Sequence, residues 1–83
     1  MNKVLVEIRV PAVGGQFDIF APTDVPIKTL NGILADGVAE LTNGKYIASG
    51  YEQLCLQEPA GLLNPSYTLQ QYGIKAGMTL YLI

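Results

Sequence analysis

Eighty-three residues, 49% hydrophobic and 14% charged, are enough for one compact domain and too apolar for a disordered chain. A domain of this size buries only roughly 60 to 65% of the surface its unfolded form exposes, so its core is small. The net charge is −2 and the five cations, Lys3, Arg9, Lys28, Lys45 and Lys75, are dispersed, which excludes the concentrated basic surface a nucleic-acid partner needs.

Val4, Val6, Ile8 and Val10 alternate with Lys3, Leu5, Glu7 and Arg9, the period-two pattern of a strand with one buried face. Pro11 to Gly15 turns the chain, with Gly14 and Gly15 both available for the positive φ angles of a hairpin loop. A second strand follows, directing Phe17, Ile19 and Ala21 to one side and Gln16, Asp18 and Phe20 to the other. Pro22 closes it. Thr23 and Asp24 are polar cap candidates, and Pro26 suits the first turn of a helix. Within that helix Ile27, Leu30, Ile33, Leu34, Val38 and Leu41 recur at spacings of three and four, an apolar stripe directed at the sheet. Gly32 and Gly37 each cost the helix about 1 kcal/mol relative to Ala, so it depends on packing. Asn43-Gly44 is its stop.

Lys45 to Gln53 fits either a short strand or a loop. Gln53 to Gln57 alternates as a third strand and is broken by Glu58-Pro59-Ala60-Gly61, whose chemistry is that of a turn. Leu62-Leu63 forms a brief fourth strand. Thr68 to Tyr72 reads as a short helical turn before a Gly-marked corner, and Met78 to Ile83 is the last strand, with Leu80 and Leu82 inward and Thr79 and Tyr81 outward.

Catalytic chemistry is poorly supplied. Histidine is absent, which removes Cys-His and Ser-His pairs and any ordinary general base of near-neutral pKa, and leaves little for a metal site. Asp36 and Glu40 are four apart on the helix, but read as part of a solvated face. Gly14-Gly15 precedes a strand and lacks the helix and Lys-Ser/Thr of a phosphate loop. Neither catalytic residues nor a cofactor are expected. Cys55 is the single cysteine, so no intrachain disulfide forms and a reducing compartment is favoured. Glu7 and Arg9 interrupt the first apolar run before a signal-peptide core is complete, and the longest charge-free stretch, Pro59 to Ile74, falls short of the ~20 apolar residues that span a bilayer. A cytoplasmic protein without direct membrane insertion is therefore expected.

The closing segment, Thr68-Leu69-x-x-Tyr72-x-Ile74 followed by Thr79-Leu80-x-Leu82, resembles the end of ubiquitin and its relatives. The resemblance implies an α+β, ubiquitin-like β-grasp fold over residues 1–83: a mixed sheet of four to five strands, first and last parallel at its centre, with one helix across one face. Within that group Phe17-Asp18-Ile19, Pro22, and Pro26-Ile27-Lys28 followed by Leu30 are similar to the YukD/EsaB family of bacterial type VII secretion accessory proteins. In ubiquitin the last strand continues into a tail ending in Gly-Gly, whereas this sequence stops at Ile83. A protein modifier or sulfur carrier is accordingly the less favoured reading.

Leu5, Phe20, Cys55, Tyr81 and Ile83 all fall on the outward phase of their strands, which predicts an apolar protein-binding patch on the sheet face away from the helix. Cys55 lies where the resemblance places the central isoleucine of ubiquitin's recognition patch, and reads as interface filler instead of a redox group. The expected function is a non-enzymatic adaptor or regulator of type VII secretion. The resemblance implies protein partners at the inner face of the membrane, such as the FtsK/SpoIIIE-type ATPase. The alternative is a generic β-grasp recognition module of an unrelated bacterial or phage complex.

Overall fold

A computed structural model describes residues 2–57 and 60–83. Five strands, β1 (Lys3–Val10), β2 (Gly15–Pro22), β3 (Leu54–Gln57), β4 (Ala60–Leu62) and β5 (Thr79–Leu82), form one sheet in the order β2-β1-β5-β3-β4. β1 and β5 run parallel at its centre and the other neighbours are antiparallel. The helix α1 (Ile27–Leu41) packs across one face. This is the expected mixed sheet with a single helix.

Alternation governs the strands as expected. Val6, Ile8 and Val10 of β1 are buried with Leu80 and Leu82 of β5, because side chains two apart share a face and that face meets the helix. Ala21 joins them from β2, with Phe17 and Ile19 half-buried against the same core. From α1 come Ile27, Leu30, Leu34, Ala35 and Val38. The predicted stripe needs correction at two positions: Ile33 and Leu41 are exposed. Ile33 lies outside the row set by Leu30 and Leu34, and Leu41 is the terminal helical residue, beyond the last buried position at Val38. Ala35 takes the place between.

The helix ends are satisfied in two different ways. Neither Thr23 nor Asp24 caps the N-terminus: Pro26 occupies the cap position without a side-chain bond. Instead the free N–H groups of Ile27 and Lys28 donate to the carbonyls of Tyr67 and Pro65 at 2.8 and 2.9 Å. A segment forty residues away in sequence thus supplies the acceptors that a helix start lacks. At the other end Asn43 and Gly44 adopt positive φ, and their N–H groups donate to Glu40 and Ala39, the paired bonds of a Schellman stop, as the Asn-Gly motif predicts.

Turn chemistry differs from expectation in places. Only Gly14 is left-handed in the first hairpin, after a 3-10 turn over Pro11–Val13; Gly15 already belongs to β2. The turn expected at 58–61 falls partly outside the described residues, while Ala60 and Gly61 belong to β4. Thr68 and Gln71 form a reciprocal pair, each side chain accepting from the other's N–H, but the turn stops at Gly73 with positive φ and does not propagate as a helix. It seats Leu69 in the core.

Two measurements check this packing. Leu80 has no exposed surface, so Leu80→Ala should cost about 2 to 5 kcal/mol in chemical denaturation. Gly32 is exposed within α1, and a Cβ built there meets nothing within 4 Å. Gly32→Ala should therefore raise stability by about 0.5 to 1 kcal/mol, read as a higher denaturation midpoint at constant slope.

Candidate functional site

The sheet face opposite α1 carries the outward phase of every strand. One row across it runs Gln16, Arg9, Tyr81, Cys55, Leu62, each residue paired with the next in the strand register. Leu5 and Phe20 oppose each other across β1 and β2, nearer the start of β1. Between the two lies a polar row in which Glu7 pairs with Asp18 on one side and Thr79 on the other. The five predicted residues are therefore on one face but not contiguous: Leu5 lies with Phe20, Tyr81 with Cys55, and Ile83 just past the end of β5.

A side-chain network crosses the polar boundary. Glu7 Oε1 accepts from Arg9 Nε at 2.8 Å and from Thr79 Oγ1 at 3.2 Å. Arg9 Nη1 donates to the Tyr81 hydroxyl at 3.3 Å, and its guanidinium carbon lies 5.9 Å from the Tyr81 ring centroid, within cation–π range. The hydrogen bond from Arg9 holds the Glu7 carboxyl below its usual range, and the same bond raises Arg9. These contacts fix the Tyr81 ring, which the sequence pattern alone presented as a free aromatic anchor.

Exposure ranks the predicted residues. Phe20 is 65% exposed and Ile83 57%, Leu5 is just exposed, and Cys55 and Tyr81 are half-buried. Ile83 exchanges two backbone hydrogen bonds with Gln53, at 2.8 and 2.9 Å, and so extends the β3–β5 ladder. Burial pushes the Cys55 thiol up, away from the thiolate that redox chemistry requires. Leu62, 58% exposed and paired with Cys55, belongs to this face although the sequence marked it only as strand. Arg9 was legible as outward, but its bridging role was not.

A second feature has no counterpart in the sequence reading. The segment between α1 and β3, undecided from sequence, is a loop folded around Glu52, whose residue is 6% exposed. Its carboxylate accepts from the Tyr46 hydroxyl at 2.7 Å, the Ser49 N–H at 2.6 Å and the Gly50 N–H at 3.0 Å. Burial alone would raise its pKa, but these donors outweigh it and hold the group down at about 2. Burial and the adjacent carboxylate push Tyr46 up to about 12. The clamp orders a loop that leaves Ile47 and Tyr51 almost wholly exposed.

No family model and no curated protein sequence matches the chain. Solved structures do. The ubiquitin-like domain of EccD5 from Mycobacterium xenopi aligns with TM-score 0.81 and 18% identity over 100% of this chain and 94% of that one. The ubiquitin-like domain of the Mycobacterium tuberculosis type VII secretion protein EccD1 aligns at 0.76 and 19%, over 100% and 99%. The ubiquitin-like domain of Plasmodium falciparum Dsk2 aligns at 0.72 and 21%, over 98% and 96%. A chain of the MycP5-free ESX-5 inner membrane complex is similar at 0.70 and 20%, over 100% of this chain and 21% of that larger one. The fold is ubiquitin-like β-grasp.

The Glu52 clamp makes a pH prediction. A carboxylate depressed in the folded state contributes stability that is complete above its unfolded pKa of about 4.3 and is lost as pH falls toward about 2. Glu52→Gln should lower stability at neutral pH and flatten its decline across that acid window, measured by denaturation at a series of pH values. Tyr46→Phe should cost about 1.5 to 3 kcal/mol, the range for a hydrogen bond to a charged group.

Proposed function

We propose that this chain is a non-enzymatic protein-recognition module of a type VII secretion machine, acting through the sheet face opposite α1. The observation that carries the binding reading is Phe20, a large aromatic left 65% exposed beside Leu5 on the sheet face opposite α1. Exposed aromatics on an ordered surface are the usual anchors of protein interfaces. Across the polar boundary Tyr81 is already held by Arg9, so it meets a partner with little further loss of side-chain freedom.

The pathway reading is supported by structural likeness to the ubiquitin-like domains of EccD5 and EccD1 and to part of the ESX-5 inner membrane complex. On this reading the domain works in the cytoplasm, against the membrane-bound assembly, as an accessory subunit like YukD and EsaB. Its partner is the FtsK/SpoIIIE-type ATPase or the membrane subunits around it. No helix among the described residues is long and apolar enough to cross a membrane, so any attachment of this domain through those residues runs through protein contacts or the membrane surface. The absence of histidine and the raised thiol of Cys55 support a role without catalysis. Likeness to Dsk2 supports the second reading, a generic ubiquitin-like recognition module.

Phe20→Ala should change stability by no more than about 0.5 kcal/mol, as expected for an exposed side chain. Combined with Tyr81→Ala, it should abolish co-purification with the membrane complex and secretion of the small helical type VII substrates in the source cell, while the variant accumulates folded. Normal secretion by the folded double variant refutes the binding face. Normal secretion after deletion of the whole gene refutes the pathway and leaves the generic module.

A further inference from the structure

Along the outer edge of β4, beside the sheet face just described and sharing Leu62 with it, runs an open groove of about 630 Å³. Its walls bring together Asn31 from α1, Tyr51 and Glu52 from the clamped loop, Leu62 from β4, and Tyr72. Three independent features leave it chemically incomplete.

The first is backbone. β4 ends the sheet and pairs only with β3. The Leu63 N–H donates to the Leu54 carbonyl, and antiparallel ladders alternate between bonded and non-bonded pairs, so Leu62, opposite Cys55, turns its own N–H and C=O away from β3. The second is Asn31, whose Oδ1 is fully buried and has no hydrogen-bond partner among the described residues. Buried polar atoms are rarely left so, and an amide oxygen accepts only from a donor. The third is charge. Glu52 is nearly buried and its carboxylate is ringed by neutral donors, while among the described residues the one ion pair joins Arg9 to Glu7. Glu52 thus brings a negative charge to the groove wall with no cation paired to it among the described residues.

We propose that this groove receives an extended segment of another protein, which adds to β4 as a further strand through the Leu62 backbone and places an arginine side chain on Asn31 Oδ1 beside Glu52. Strand addition at an open edge takes its affinity from main-chain bonds and its specificity from pockets for single side chains. Arginine fits this pocket better than lysine. Its planar, multiply donating guanidinium can bond the amide oxygen while its face lies on the aromatic walls of Tyr51 and Tyr72, and it gives up its hydration more readily. A second copy of this chain does not supply it. Arg9 is the only arginine, and it is committed to Glu7 and Tyr81 within the central strand β1. The occupant is a different protein carrying an exposed, extended, arginine-bearing segment.

The test is an NMR titration of the isotope-labelled chain with a capped hexapeptide of alternating valine and threonine around one arginine, and with the same peptide carrying lysine or citrulline. The arginine peptide should shift the Asn31 side-chain amide and the amides of residues 51–53 and 61–64, and slow hydrogen exchange at Leu62. It should bind at least about tenfold more tightly than the neutral citrulline peptide, the loss expected when one charged, hydrogen-bonded contact is removed. Asn31→Leu should remove the arginine preference. Tyr51→Ala, at an 87% exposed side chain that leaves the core untouched, should weaken the same peptide with an unchanged fold and tests the wall independently. Equal binding of arginine and citrulline peptides, shifts confined to the sheet face around Phe20, or no shifts at millimolar peptide would each overturn the proposal.

Discussion

Parallel pairing of the first strand with the last is the constraint on which the rest of this structure depends. Glu7, Ile8 and Arg9 of β1 lie against Thr79, Leu80 and Tyr81 of β5, and each strand has a second neighbour, so no edge is exposed at the centre. Two parallel strands cannot be joined by a tight turn. Everything between them, including α1 and the long return from β4, is the connection that permits the pairing. The inward halves of both strands form the floor of the core, and the outward halves form the candidate binding face. Core and face are thus two sides of one register, because a slip of one residue would exchange them.

That register also explains how polar and apolar groups divide the face. Glu7 and Arg9, two apart on one strand, meet Thr79 and Tyr81 on the next, and opposite charge, hydroxyl and aromatic ring satisfy one another across the strand boundary. Exposed ion pairs of this kind contribute little to stability, typically about 0 to 1 kcal/mol. Their consequence here is orientation. Tyr81 is held in place while Phe20, two strands away, is left bare.

Long-range contacts also finish what local sequence leaves open at the helix. α1 carries two glycines and no side-chain cap at its start, and it persists because the carbonyls of Pro65 and Tyr67 accept from its first N–H groups while Leu30, Leu34 and Val38 are buried on the sheet. The Glu52 clamp plays the corresponding part for the loop that follows. In both places backbone N–H groups far from regular pairing find an acceptor, and the segments so fixed form the walls of the β4-edge groove.

Local pattern was enough for β1, β2, β3, β5 and most of the core, though not for β4, since period-two alternation in Val6, Ile8, Val10, Leu80 and Leu82 reports directly which side chains share a face. It also determined the helix stop at Asn43-Gly44, because the left-handed backbone there favours those residue types. It placed Leu5, Phe20, Cys55, Tyr81 and Ile83 on one face. The folded chain was needed to show that the row of Asp18, Glu7 and Thr79 divides them, since cross-strand partners seventy residues apart leave no trace in local pattern. It alone decided that Ile33 and Leu41 escape burial, because periodicity gives the direction of a side chain and not the extent of the surface beneath it. Glu52 was invisible for the same reason: a carboxylate in a polar, aperiodic stretch reads as solvated until the folded loop brings Tyr46, Ser49 and Gly50 around it.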